Sequence, residues 1–173
     1  MRLFSAILFD KATTANLVAL QDELRSRAGR GNYSRPDNLH LTLAFLGDYD
    51  QLGPPTAALD DVSFAPFTLV IDRVGRGRQH GRDLWFAGVA DNPALLGLRS
   101  QLASALRHRG CSFDAAPFSP HITLARQVAT SAFQWPVEPF TQLVDSIYLM
   151  VSERVDGVLT YTPVHERPAE VVP

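Results

Sequence analysis

At 173 residues, with 46% hydrophobic and 20% charged residues, the chain has the balance of an ordinary globular protein and room for one domain or two small lobes sharing a core. At a net charge of −2 the chain is not basic overall, so any contact with nucleic acid has to come from a local patch. Cys111 is alone and cannot close an intramolecular disulfide, the start MRLFSAILFDK lacks a secretory pattern, and no apolar run nears the roughly 20 residues of a membrane span. The expected setting is cytoplasmic, away from membranes.

In chain order, residues 2–9 read as a strand, and Asp10 offers an N-cap to a helix buried along Leu17, Leu20 and Leu24. Gly29 and Gly31 end that helix and Pro36 keeps it from resuming, so the next strand is expected over residues 38–46, closed by Gly47 and Asp48. Pro54 and Pro55 precede a short helix through Leu59. Residues 67–74 and 84–89 read as strands flanking a glycine- and arginine-rich loop. Asn92 and Pro93 start a second long helix, with Leu95, Leu98, Leu102 and Leu106 at helical spacing until Gly110. A strand over 120–128, a loop containing Pro136 and Pro139, and strands over 143–152 and 158–164 complete the chain, the last two joined by an Asp156-Gly157 turn. A strand and helix lead to a histidine-bearing strand in each half, which suggests two similar lobes facing each other.

The same tetrad occurs once per half, as HLTL at 40–43 and HITL at 121–124. About 0.06 such tetrads are expected by chance in a chain of this composition, so a pair is hard to dismiss, whereas one alone would read as a core histidine. Strand alternation projects His40 with Thr42, and His121 with Thr123, from one face while their apolar neighbours point to the other. Two imidazoles, with an unperturbed pKa near 6.5, suit in-line displacement at phosphorus, one taking a proton from the attacking oxygen and the other giving one to the leaving oxygen. The threonine hydroxyls are placed to donate to non-bridging phosphate oxygens.

Other residues carry weaker signals. DRVGRGRQHGRD, residues 72–83, gathers Arg73, Arg76, Arg78 and Arg82 around two glycines and His80. It reads as a solvated hairpin tip or as a phosphate-contacting loop, with Arg76 and Arg78 the candidate RNA contacts. Phe45 and Trp85 suit base stacking, although core packing is the commoner fate of strand aromatics. His80, His108 and His165 lack the tetrad context, and Cys111 reads as a buried, inert thiol. A catalytic zinc on His40 and His121 would want a third protein ligand, and no HExxH or clustered Cys/His/Asp set supplies one, so no metal and no cofactor are expected.

The paired motifs resemble those of the two-histidine (2H) phosphoesterase superfamily. More closely, the chain resembles the bacterial RNA 2′,3′-cyclic phosphodiesterases, historically called 2′-5′ RNA ligases, through RLFSAILF, PDNLHLTLAFLGD, PFSPHITLAR and YTPVHER. The resemblance implies an α+β fold: a single bilobal domain over residues 1–173, its lobes related by a pseudo-twofold axis, each an antiparallel sheet with outer helices, and an active-site cleft between them. It implies His40 as proton donor and His121 as proton acceptor in opening a 2′,3′-cyclic phosphate to a 2′-phosphate, with Thr42 and Thr123 on the phosphate. Arg126 matches the arginine that follows the family's second motif, yet strict alternation points it away from His121. Asp10 stands where many relatives have proline. The implied partner is an RNA or oligonucleotide end bearing the cyclic phosphate, handled by a monomer with no obligatory protein partner. A sister enzyme for a 2′-5′ linkage or a small cyclic nucleotide, and a non-catalytic RNA-end-binding module, are the alternatives.

Overall fold

Asp10 ends the first strand by capping a helix: its Oδ1 accepts from the Thr13 N–H at 2.7 Å. The computed structural model describes residues 1–128 and 134–171. Its elements are β1 (Arg2–Ile7), α1 (Lys11–Ala28), β2 (Asn32–Tyr33), a 3-10 turn (Pro36–Asn38), β3 (Leu41–Asp48), α2 (Gly53–Asp60), β4 (Phe67–Gln79), β5 (Arg82–Val89), α3 (Pro93–His108), β6 (His121–Arg126), β7 (Trp135–Val144), β8 (Ser146–Val155) and β9 (Val158–Pro168). The fold is α+β. Asn92 caps α3 as Asp10 caps α1, accepting from the Leu95 N–H at 3.1 Å.

All strand pairings are antiparallel and run in the order β7-β4-β5-β6-β3-β1-β8-β9, with β2 added beside β6. The order is palindromic in character: four strands from each half of the fold meet where Leu41 of β3 lies opposite Ile122 of β6. The expected two lobes are therefore the two halves of one continuous sheet, and the residues just before Leu41 and Ile122 are the two motif histidines.

One face of the sheet is dry. Leu17, Leu20 and Leu24 of α1 and Leu95, Leu98, Leu102 and Leu106 of α3 pack with Leu41, Leu43, Ile122 and Leu124 in a single core. Each such side chain contributes about 1.5–3 kcal/mol by leaving water, so register in β3 and β6 is fixed by which residues the helices cover. On the other face Phe4, Ala6 and Met150 form a small separate cluster that includes partly buried Tyr161.

Several sequence expectations shift, among them the strand read over 143–152, which divides at Asp145 between β7 and β8. The strand expected over 38–46 starts at Leu41, because Asn38 belongs to the Pro36–Asn38 turn. The glycine- and arginine-rich segment is a continued ladder rather than a loop: β4 and β5 pair out to Gln79 and Arg82, leaving only His80 and Gly81, both at positive φ, as a two-residue turn. Pro136 and Pro139 sit inside β7, which ends the sheet and among the described residues pairs with β4 alone, the edge position where prolines are tolerated in a strand. The start of the loop expected there falls in residues 129–133, outside the described ones. Asp156 and Gly157 form the β8–β9 turn as expected, both with positive φ.

Candidate active site

Each motif histidine is anchored the same way. His40 Nδ1 lies 2.7 Å from the carbonyl oxygen of Asn38, and His121 Nδ1 lies 2.8 Å from that of Ser119. A carbonyl only accepts, so Nδ1 carries the proton in both rings and Nε2 is the atom left to exchange one. His40 Nε2 is 2.9 Å from Thr42 Oγ1, the residue two along on the same face. Asn38 is itself held, its amide donating to the Leu159 carbonyl of β9 at 2.9 Å. The ring of His40 packs against Phe4 at 4.9 Å and Tyr161 at 5.2 Å, and that of His121 against Phe86 at 5.8 Å.

Arg126 is on the histidine face, contrary to simple alternation. Along β6, Trp85 pairs with Ala125 but Phe86 with Thr123, so Leu124 is an extra residue, a β-bulge that rephases the strand. Leu124 and Ala125 are both fully buried, and Arg126 returns to the side of His121 and Thr123. Buried Gln21 of α1 holds the bulge, donating to the Leu124 carbonyl at 3.0 Å and the Ser34 carbonyl at 2.7 Å, while the Ser34 N–H donates to the same Leu124 oxygen at 2.9 Å. β3 carries the matching irregularity: Ser5 pairs with Ala44 but Ala6 with Thr42, leaving Leu43 extra. HLTLAF and HITLAR thus superpose in phase as well as in sequence, with Phe45 in the place of Arg126. Phe45 is 38% exposed and lies under the Arg2 guanidinium, 5.2 Å from its ring centre. The core is where Trp85 goes instead, at 0% exposure.

The histidines, Arg126 and Tyr161 share one electrostatic neighbourhood. Burial lowers the pKa of His40 below 6.5; the Asn38 carbonyl opposes this, and the charges of His121 and Arg126 reinforce it. His121 is lowered by burial and by Arg126, against the pull of the Ser119 carbonyl. Burial raises the phenol of Tyr161, within reach of Arg126 and Arg2. The Arg126 guanidinium donates to Gln79 Oε1 at 2.8 Å and has no carboxylate partner among the described residues. Such a neighbourhood carries a positive charge beside two imidazoles whose protonated forms burial disfavours and an arriving anion would favour.

Not every sequence candidate converges here. Arg76 and Arg78 lie opposite Trp85 and Asp83 in the hairpin register, on the side away from Phe86, and Arg76 pairs with Asp83 at 3.1 Å. Arg78 is 77% exposed. His165 contacts Asp60 of α2 at 2.7 Å instead. Burial raises the thiol pKa of Cys111. Among the described residues no three His, Cys, Asp or Glu side chains gather as they would around a metal ion, and no helix is long and apolar enough to cross a membrane. Asn38, Gln79, Phe86 and Tyr161 escaped the sequence reading. Only Asn38 and Tyr161, inside the quoted PDNLHLTL and YTPVHER stretches, left a signal there.

The chain matches the 2′-5′ RNA ligase superfamily over residues 14–156. It is 33% identical over 162 residues to the RNA 2′,3′-cyclic phosphodiesterase of Thermus thermophilus, spanning 81% of this chain and 79% of that one. It is 36% identical over 96 residues to the enzyme of the same name from Geobacillus stearothermophilus, spanning 53% of this chain but 31% of that relative. Among solved structures, Escherichia coli LigT complexed with 3′-AMP superposes with a TM-score of 0.84 at 26% identity, covering 97% of both chains.

Proposed function

The chain belongs to the 2′-5′ RNA ligase superfamily, and from that premise we propose that it is an RNA 2′,3′-cyclic phosphodiesterase in which His40 and His121 are the acid–base pair. The observation that carries the reading is the duplicated anchoring: two rings with Nδ1 tied to a carbonyl two residues back and Nε2 left for proton exchange. Arg126, Thr42 and Thr123 bind the phosphate of the cyclic ester. Water attacks phosphorus as His121 Nε2 takes its proton, and the P–O3′ bond breaks as His40 Nε2–H protonates the departing oxygen, leaving a 2′-phosphate and a free 3′-hydroxyl. Burial disfavours the protonated form of both rings, and a bound phosphate anion offsets this, so His40 gains its proton more readily with substrate bound.

A panel of oligonucleotides ending in 2′,3′-cyclic phosphate, 2′-5′-linked dinucleotides and free cyclic nucleotides tests the substrate class. Preference for either of the last two would move the chain to a sister activity, and absence of turnover on all three would leave an RNA-end-binding module. Roles follow from a substrate whose bridging 3′-oxygen is sulfur, a leaving group that needs no proton. His40→Ala loses about 10²- to 10⁴-fold on the natural substrate and recovers on the 3′-thio one, while His121→Ala stays impaired. Recovery of His121→Ala alone would reverse the assignment.

A further inference from the structure

We propose that Gln79, the last residue of β4, is the positioning residue of Arg126: a neutral amide that fixes the guanidinium over the cleft while leaving its charge for the substrate. The inference rests on the reading of the cleft as a phosphate site. Arg126 is a long, flexible cation, and the arginines elsewhere in the fold show how such a side chain is usually held. Arg109 is clamped by both oxygens of Asp61 at 2.6 and 2.7 Å, and Arg76 meets Asp83 at 3.1 Å. A carboxylate orients a guanidinium but also neutralises it. Arg126 meets an amide oxygen instead, at 2.8 Å, and no carboxylate among the described residues.

Gln79 can serve as a fixed post because of how its hairpin ends. Gly75 lies opposite Phe86, the residue packed on His121, and alternation carries Gly77 and Gln79 onto that same face. His80 and Gly81, with φ of 51° and 76°, close the strands in the two-residue turn whose twist matches the ladder, so the pair Gln79–Arg82 is held to the last rung. The Arg126 backbone is pinned between Leu84 of β5 and Asn32 of β2. Backbone and guanidinium are therefore fixed by separate elements, and losing Gln79 frees only the second.

The test combines kinetics with histidine titration by NMR in the substrate-free protein. Arg126, which faces His40 alongside His121 and Tyr161 and is the charged neighbour of His121, depresses the pKa of both rings. Displacing its charge raises both. Arg126→Ala is expected to lose about 10²-fold in kcat/KM, and Gln79→Ala about tenfold, as a misplaced rather than missing group does. Both variants raise the two histidine pKa values, and the double variant loses no more than Arg126→Ala alone. Gln79→Glu keeps the hydrogen bond but cancels the charge, so it raises KM and both pKa values with kcat less affected. Losses that multiply in the double variant, or titrations that Gln79→Ala and Gln79→Glu leave unmoved, would overturn the proposal. Shifted titrations with undiminished turnover would keep the positioning role and remove the phosphate reading instead.

Discussion

Gly75 offers a sharp test of how the sheet supports the cleft. It sits in β4 directly opposite Phe86, whose ring lies 5.8 Å from that of His121, and a Cβ at position 75 would fall 2.5 and 2.6 Å from two atoms of the Phe86 ring. Ordinary contact begins at 3.4 Å, so Gly75→Ala obliges the ring to retreat by about 0.9 Å, towards the imidazole or out of the ladder. Overpacking of this kind costs about 1–3 kcal/mol, and a displacement of about 1 Å at a reacting group costs up to about 10²-fold in rate. Gly77→Ala is the internal control: its Cβ meets the same ring at an acceptable 3.6 Å, and its φ is not in the left-handed region. Urea unfolding and kcat/KM on an oligonucleotide ending in 2′,3′-cyclic phosphate are the two assays. The expected pattern is loss of stability and activity in Gly75→Ala, neither in Gly77→Ala, and recovery of stability when Gly75→Ala is combined with Phe86→Leu. Wild-type turnover in Gly75→Ala would mean that the ring does not support His121.

The pH dependence follows from the direction of the histidine shifts. Burial holds both imidazoles below 6.5 and therefore neutral at about pH 7, so kcat/KM, which needs one of them charged, climbs as pH falls and peaks below 6.5; an optimum above neutrality would contradict the burial argument. In kcat the limbs lie further to the alkaline side, since the bound phosphate anion favours both protonated rings. Turnover is expected to persist in excess EDTA because imidazoles carry the proton traffic, and a loss that zinc or magnesium restores would replace the mechanism. Phe45, 38% exposed beside Arg2, is expected to stack on a base worth about 1–3 kcal/mol. Phe45→Ala then raises KM for oligonucleotides about tenfold or more with kcat nearly intact, Phe45→Tyr does not, and an unchanged KM would make the ring a bystander.

The helices, most of the strands and the pairing of the two motif histidines were legible because they rest on local signals, whereas β2 and most of β7 were not. Asp10 and Asn92 cap their helices through their own side chains, the leucines of α1 and α3 recur at the helical period, and each tetrad is four contiguous residues. The arginine segment misled because its composition looks like a loop, while its pairing is set by tertiary contacts: the Phe86 ring fills the space left open by Gly75, and a two-residue turn comes only after Gln79. The apolar residues after Asn38 suggest a strand there, yet Pro36 commits Asn38 to a turn whose carbonyl accepts from His40 Nδ1. Gln21 was invisible for a different reason. Nothing in a helical stripe says that one glutamine will be buried to satisfy a carbonyl more than a hundred residues away.

Both bulges decide what the cleft can do. A strand that kept strict alternation after HITL would bury the Arg126 guanidinium among the leucines of α1 and α3, an arrangement too costly to persist without a paired acid. The extra residue at Leu124 turns the same side chain to the cleft, and the Leu124 carbonyl accepts from Gln21 and from the Ser34 N–H beside β2. In β3 the extra residue at Leu43 performs the same rotation, but it delivers Phe45, an apolar ring under Arg2, rather than a second cation. Two copies of one strand design therefore build an asymmetric site: similar imidazoles at the centre, a charge on the His121 side and a partly exposed aromatic ring on the His40 side. Under the proposed function, a ligand with a phosphate at one end and a base at the other enters that cleft in one orientation only, and that orientation is what would give a near-symmetric pair of histidines distinct roles as acid and base.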